Sequence, residues 1–355
     1  MDTPTLPPLP VQPEGIAWPT REWPEAPLRG RPGVDHDAVA REIDRLVLPG
    51  AAPRSGETHA LLVVHRGELV AERYDEAHDR ESTLISWSMA KSILHALVGI
   101  LVGQGRLDIH APAPVPSWQD PADPRRAITI EHLLRMVDGL DFVEDYVDSG
   151  VSNVIEMLFG SGKADVAGYA EALPLAWPPG THWSYSSGTS NVVAGIVRRT
   201  VGGGGAGMEA FMRAELFDRI GMRSAAPRID DAGTFVGSSF VFATARDFAR
   251  FGLLYLRDGH WEREVLLPAG WVDHARTATG PSAGQYGAHF WLATNGSGIF
   301  HCAGYQGQYV AIDPRRDLVL VRLGLSAPDQ RGAVFRSLDR IDRAFPVLTR
   351  DRGRS

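Results

Sequence analysis

The chain has 355 residues, 44% hydrophobic and 22% charged, so it can bury a large core and is not disordered in bulk. A net charge of −7 with no basic run argues against a nucleic-acid partner, and the single cysteine, Cys302, excludes an internal disulfide. No run of about 18 apolar residues is present to cross a membrane. Met1-Asp2-Thr3-Pro4 lacks the basic-then-apolar pattern of a secretion signal, so a cytoplasmic location is the expectation.

Residues 1–34 carry nine prolines with Trp18 and Trp23, and read as an extended arm packed on the body through its tryptophans. Asp35 caps a helix whose apolar face is Val39, Ile43, Leu46 and Val47, with a stop at Pro49-Gly50. Residues 59–74 predict a hairpin turning at Arg66-Gly67. A helix over 88–103 is apolar on nearly every side and therefore buried. Thr129 opens another, through Leu133, Leu134 and Val137 to Gly139. The acidic stretch that follows, Asp138, Asp141, Glu144 and Asp145, reads as a solvated loop rather than a metal site or a carboxylate pair.

Two helices over 188–222 are split by Gly202-Gly203-Gly204-Gly205, a flexible loop without the Lys-Ser/Thr ending of a phosphate-binding loop. Thr244-Ala245-Arg246-Asp247 starts a further helix. Strands are predicted over 299–303, 308–312 and 318–323, and a closing helix over 333–345 buries Val334, Phe335, Leu338, Ile341 and Phe345. Strands at both ends with helices between imply an α+β chain. Residues 35–86 and 240–355 would form a discontinuous sheet domain and 87–239 a mostly helical one, with the active site between them.

Of 36 lysines and arginines only two are lysine, Lys91 and Lys163. Arginine keeps its proton near neutral pH, whereas a buried lysine can lose it. Lys91 ends Ser88-Met89-Ala90-Lys91, and residues three apart share a helical face. Burial disfavours the ammonium form, and a neutral amine can take the serine proton. The helix N-terminus adds N–H groups near a developing oxyanion. Tyr185, in Tyr185-Ser186-Ser187-Gly188, follows a loop and precedes a helix, where its phenol can relay a proton. His301-Cys302-Ala303-Gly304-Tyr305-Gln306-Gly307-Gln308 places two glycines around a strand end, where a substrate carbonyl could approach a backbone N–H. Spacing leaves open whether Lys91 or Tyr185 is the base in each step. The histidines include no H-E-x-x-H, one cysteine leaves no zinc-type cluster, and Ser297 lacks the G-x-S-x-G context, so neither a metal nor an organic cofactor is implied.

These three pieces, in this order, resemble the serine β-lactamase and penicillin-recognising hydrolase superfamily. Leu133 to Leu140, Pro179-Gly180-Thr181, Ala243 to Asp247 and Gly304 to Gln308 extend the resemblance over roughly residues 35–346. The branch it is most similar to is the class C-like hydrolases, among them 6-aminohexanoate-dimer hydrolases, family VIII carboxylesterases and D-aminopeptidase-like enzymes. The resemblance implies a β-lactamase/transpeptidase-like fold, an antiparallel sheet flanked by helices. It makes Ser88 the acylated nucleophile, Lys91 its base partner, Tyr185 the proton shuttle, and the backbone N–H groups of Ser88 and Tyr305 the oxyanion hole. Tyr146, Ser187, His301 and Gly304 become substrate-binding candidates.

One departure stands out. Where the superfamily carries Lys-Thr-Gly or His-Thr-Gly, this chain has Cys302-Ala303-Gly304. The cation that holds a substrate carboxylate is gone unless His301 replaces it, so esters or small linear amides are expected ahead of β-lactams. The expected partner is a small ester or amide, with neither nucleic acid nor membrane, and a homodimer is left open. The alternatives are a 6-aminohexanoate-dimer-type amide hydrolase, a D-amino-acid peptidase, or a non-catalytic acyl- or peptide-binding sensor.

Overall fold

The computed structural model describes residues 6–348 apart from 49, 51 and 147–151. Six strands form one sheet: β1 (Glu57–His65), β2 (Glu68–Tyr74), β3 (Trp291–Leu292), β4 (Phe300–Gly304), β5 (Gln308–Asp313) and β6 (Leu318–Leu325). Their order is β2-β1-β6-β5-β4-β3, every neighbour antiparallel, so both ends of the chain meet where β1 pairs with β6. Five helices position the site: α1 (His36–Val47), α2 (Ala90–Gly103), α3 (Ser187–Val201), α4 (Ala245–Leu256) and α5 (Arg331–Arg343).

The β1–β2 turn puts Arg66 at φ +56° and Gly67 at +79°. Two left-handed residues in succession match the twist of an antiparallel pair. β1 is apolar on consecutive residues because both its faces are covered. Leu61 and Val63 pack with Val39, Ile43 and Leu46 of α1 and Val334, Leu338 and Ile341 of α5. Ala60, Leu62 and Val64 pack on the other side with Phe248 and Phe251 of α4. α4 lies flush on the sheet through Gly252, where a β-carbon would come within 2.6 Å of Val319 and 2.7 Å of Val310.

The proline-rich segment makes specific contacts with this body. Trp23 is buried and its indole N–H donates to the Arg246 carbonyl at 3.3 Å. The Arg250 and Arg276 guanidiniums donate to the Pro19 and Pro7 carbonyls, both at 2.7 Å. Trp18 packs on Trp261 with ring centroids 5.0 Å apart.

Several expectations need correction. The helix opened by Thr129 covers only Ile130–Leu134, because Met136 turns left-handed at φ +59° and redirects the chain. Gly204 and Gly205 begin the next helix, Gly204–Met212, so the break is confined to Gly202 and Gly203, both at positive φ. Phe335 is 44% exposed rather than buried. Of the predicted stop for α1, Pro49 lies outside the described residues. A second sheet of very short strands (Thr83–Ile85, Val241–Thr244 and Ala226–Pro227) was not foreseen, because two to four residues carry no periodicity. Among the described residues no helix is long and apolar enough to cross a membrane.

Candidate active site

Ser88 lies in a 3-10 turn, Trp87–Met89, immediately before α2 rather than inside it. Ser86 fixes the start of that turn: its N–H donates to the Val241 carbonyl at 2.8 Å, and its hydroxyl accepts from the Val241 N–H at 2.9 Å. Trp87 then adopts φ +43°, a conformation that disfavours a bulky side chain. Its indole is wedged against Phe240 and Tyr305, with centroids at 5.6 and 5.7 Å, which holds the turn in place.

α2 is buried from Ala90 to Leu101, and it carries Lys91 into the core at 2% exposure. Lys91 Nζ lies 3.2 Å from Ser88 Oγ, 3.1 Å from Ser187 Oγ and 2.9 Å from the Ser238 carbonyl oxygen. Burial pulls its pKa from 10.5 down to about 8, with Glu144 pulling back the other way. About a tenth of the amine next to the serine hydroxyl is thus neutral at pH 7 and about half at pH 8.

The loop before α3 delivers Tyr185. Lys91 Nζ lies 4.8 Å from the centre of its ring, which packs on Trp291 at 5.3 Å and edge-on to Tyr286 at 5.9 Å. Burial, then the Glu144 charge, raises the phenol above its ordinary value, while hydrogen bonding with Ser88 works in the opposite direction. The phenol therefore stays protonated in the neutral range and is placed to pass a proton.

Ser187 is fully buried, with its hydroxyl between Lys91 and Glu144 rather than facing a substrate. Glu144 accepts from the Ser187 O–H at 2.7 Å, the Ser187 N–H at 2.6 Å and the Tyr146 O–H at 2.7 Å. Tyr146 in turn stacks on Tyr305 at 5.1 Å, which places it beside the oxyanion-hole candidate. The acidic stretch is therefore not a solvated loop throughout. Asp141 is exposed, but Glu144 belongs to the site, and Asp138 is buried, accepting from the Leu140 N–H and the Thr189 hydroxyl.

The Gly304 position has an internal reason. A β-carbon there would collide with the Ser86 carbonyl oxygen, so glycine lets β4 press against the turn that carries Ser88. The Tyr305-Gln306-Gly307 turn is anchored from beneath by Arg322, which donates to the Gln306 and Gly307 carbonyls at 3.2 and 2.8 Å. Gln308 adds a bond to the Tyr305 carbonyl at 3.1 Å. Neither Arg322 nor Glu144 stands out in the sequence as part of the site.

His301 does not replace the missing cation. Cys302 points into the main core, so its neighbour His301 emerges on the opposite face of the sheet. There it lies 5.9 Å from Phe335 and 6.3 Å from Tyr309, lining a cavity of about 310 Å³ that none of Ser88, Lys91 or Tyr185 borders. Burial lowers its pKa to about 4 and raises the Cys302 thiol to about 12. A guanidinium does reach the Tyr305 ring, that of Arg331, with Cζ 5.1 Å from the centroid.

One group of metal-capable side chains occurs among the described residues. It is His59, Asp75 and His78, away from the site, where the two Nδ1 atoms lie 2.8 and 2.7 Å from the Asp75 carboxylate. Those contacts already satisfy the three groups as a hydrogen-bonded cluster.

A buried lysine beside a serine, with a phenol over both, narrows the comparison with known proteins. The profile of the family described as Beta-lactamase matches residues 38–337. The chain belongs to this family. It is 29% identical over 321 residues to a 6-aminohexanoate-dimer hydrolase of Paenarthrobacter ureafaciens, covering 84% of this chain and 79% of that protein. It is 28% identical over 227 residues to Esterase EstB of Burkholderia gladioli, covering 60% of this chain and 53% of that one. Among solved structures, a Bacillus anthracis protein with a provisional 6-aminohexanoate-dimer hydrolase name superposes with a TM-score of 0.75 at 22% identity, over 96% of this chain and 91% of that one. A family VIII carboxylesterase gives 0.63 at 15% identity, over 87% and 96%. These structural likenesses establish the β-lactamase/transpeptidase-like fold. The family and its ester- and amide-cleaving members make the chain a serine hydrolase.

Proposed function

We propose that this hydrolase cleaves small esters or linear amides through an acyl-enzyme on Ser88. The observation that carries the reading is the buried Lys91 amine 3.2 Å from Ser88 Oγ. Ser88 Oγ attacks the substrate carbonyl carbon as its proton moves to Lys91 Nζ. The backbone N–H groups of Ser88 and Tyr305 receive the oxyanion. The leaving alcohol or amine departs with a proton passed through Tyr185, and water then frees the acyl group from Ser88 by the reverse sequence. Esters, with their better leaving groups, are the readier substrates. The similarity to the 6-aminohexanoate-dimer hydrolase favours linear amides as the second class. With His301 on the far face, the third-motif strand offers no cation to a β-lactam carboxylate.

The test sets wild type and Ser88→Ala side by side on p-nitrophenyl butyrate, a linear amino-acid amide dimer and a chromogenic cephalosporin. Ester turnover that disappears in the variant, with the cephalosporin untouched, is the expected result. Retained turnover by Ser88→Ala would move the nucleophile elsewhere. Rapid cephalosporin turnover would contradict the missing clamp and point to Arg331 as the carboxylate partner.

A further inference from the structure

We infer that Glu144 is a positioning residue: it fixes the hydrogen of the Ser187 hydroxyl and thereby aims the free electron pair of Lys91 at Ser88. The inference rests on the assignment of Ser88 and Lys91 above and adds a residue that the serine–lysine–tyrosine pattern does not contain.

Neutral Lys91 has two N–H bonds and one lone pair to distribute among three oxygens. The Ser238 carbonyl can only accept, so it takes one N–H. The other two oxygens are hydroxyls, and either could donate to the amine. If Ser187 donated, the lone pair would be spent on it and Ser88 would lose its base. Glu144 removes that choice. A carboxylate only accepts, and at 2.7 Å it draws the Ser187 hydrogen into a charge-assisted bond. Ser187 Oγ must then accept the second N–H of Lys91, and the lone pair is left for the Ser88 hydroxyl. The Ser187 N–H on the second carboxylate oxygen and the Tyr146 O–H on the first lock the carboxylate itself.

The groups facing this pair come from four segments. They are Asp145 and Tyr146 beside Glu144, Lys91 on α2, Tyr185 and Ser187 at the head of α3, and Tyr286 and His289 before β3. Burial and the Lys91 charge hold His289 at about 3, and burial raises Tyr146, Tyr185 and Tyr286 above their ordinary range. Lys91, lowered to about 8, is thus the group in direct contact with Ser187 that changes charge within the working range of an assay, and Asp138, raised to about 6 and bonded to Thr189 two residues along α3, is a second one nearby.

The experiment is a double-mutant cycle read as pH profiles of kcat/KM on p-nitrophenyl butyrate. It uses wild type, Glu144→Gln, Ser187→Ala, the double variant and Ser88→Ala. Glu144→Gln is expected to lower the plateau by roughly 10- to 100-fold. It should also move the acid limb to lower pH, because the charge that favours the ammonium form is gone. In the Ser187→Ala background the same change should lower the plateau by less than about twofold, since no hydroxyl is left to orient. Equal losses in both backgrounds, or a limb that does not move, would overturn the proposal. Should Glu144→Gln fail to fold, Glu144→Asp, which keeps the charge but shortens the reach to Ser187, should lower the plateau only where Ser187 is present and leave the limb in place; equal losses in both backgrounds would overturn the proposal. Ser88→Ala separates the two levels: if it stays active, the nucleophile assignment falls, and if it is dead while the cycle is additive, only the role of Glu144 falls.

Discussion

Lys91 and Arg322 are both buried cations, 2% and 0% exposed, and both are surrounded by uncharged oxygens. Lys91 contacts two serine hydroxyls and a carbonyl. Arg322 spreads its N–H groups over the Thr58 and Ser326 hydroxyls and the Glu57, Gln306 and Gly307 carbonyls. Burial lowers the first to about 8 and the second only to about 10. The same desolvation therefore yields a proton acceptor in one place and a permanent cation in the other. The difference lies in the side chain: a guanidinium offers five donors in a rigid fork and holds its proton, whereas an amine gives its proton up. In the proposed mechanism one serves the chemistry of Ser88, while the other holds the turn that presents Tyr305.

Exchanging the two side chains breaks this comparison most sharply. Lys91→Arg keeps the charge and removes the base, and should cost at least about 10³-fold in kcat/KM, read on the fraction that circular dichroism shows to be folded. Activity retained within tenfold would remove Lys91 from the proton transfer. Arg322→Lys keeps a cation but leaves several buried carbonyls and hydroxyls without donors. It should destabilise the protein by roughly 2–4 kcal/mol in urea unfolding, with a smaller loss of activity as the Tyr305 turn loosens. An unchanged unfolding midpoint would show that the turn is held by something else.

A smaller effect comes from Asp138, a buried carboxylate bonded to neutral donors. Burial lifts Asp138 from 3.8 to about 6. Its folded form binds the proton more tightly than the unfolded chain does. The associated stability is present below about pH 4 and is lost as pH rises through about 6. An asparagine amide in its place could still accept from the Leu140 N–H and donate to the Thr189 hydroxyl. Asp138→Asn should therefore raise stability at pH 8 by roughly 1–2 kcal/mol and flatten that acid-side slope. A variant less stable than wild type at pH 8 would contradict the desolvation argument.

The parts of the site that could be read in the sequence are those fixed by local spacing. Ser88 and Lys91 are one helical turn apart, and Lys91 is conspicuous as one of two lysines in an arginine-rich chain. The strands of the sheet are visible for the same reason, since period-two or continuous apolar runs survive without tertiary knowledge. Glu144 was not visible because an acidic residue in an irregular stretch looks solvated until Ser187, 43 positions away, is seen to donate to it. Arg322 was hidden by its composition: a cation within Leu318–Leu325 reads as an outward-facing residue, and only the turn packed over it supplies its acceptors. His301 was misplaced by motif alignment, because a shift of one residue along a strand moves a side chain to the other face of the sheet. Gly304 was read as room for a substrate, whereas the close approach is made by the chain's own Ser86 carbonyl.

The central claim is that burial makes Lys91 a base, and the two-lysine sequence lets this be measured directly. Protein labelled with carbon-13 at lysine Cε gives two lysine resonances, assigned with a Lys163→Arg variant, whose chemical shifts can be followed through a pH titration. The account predicts that Lys91 titrates near 8. Titration at the ordinary value of 10.5 would contradict it and leave Ser88 without its proton acceptor.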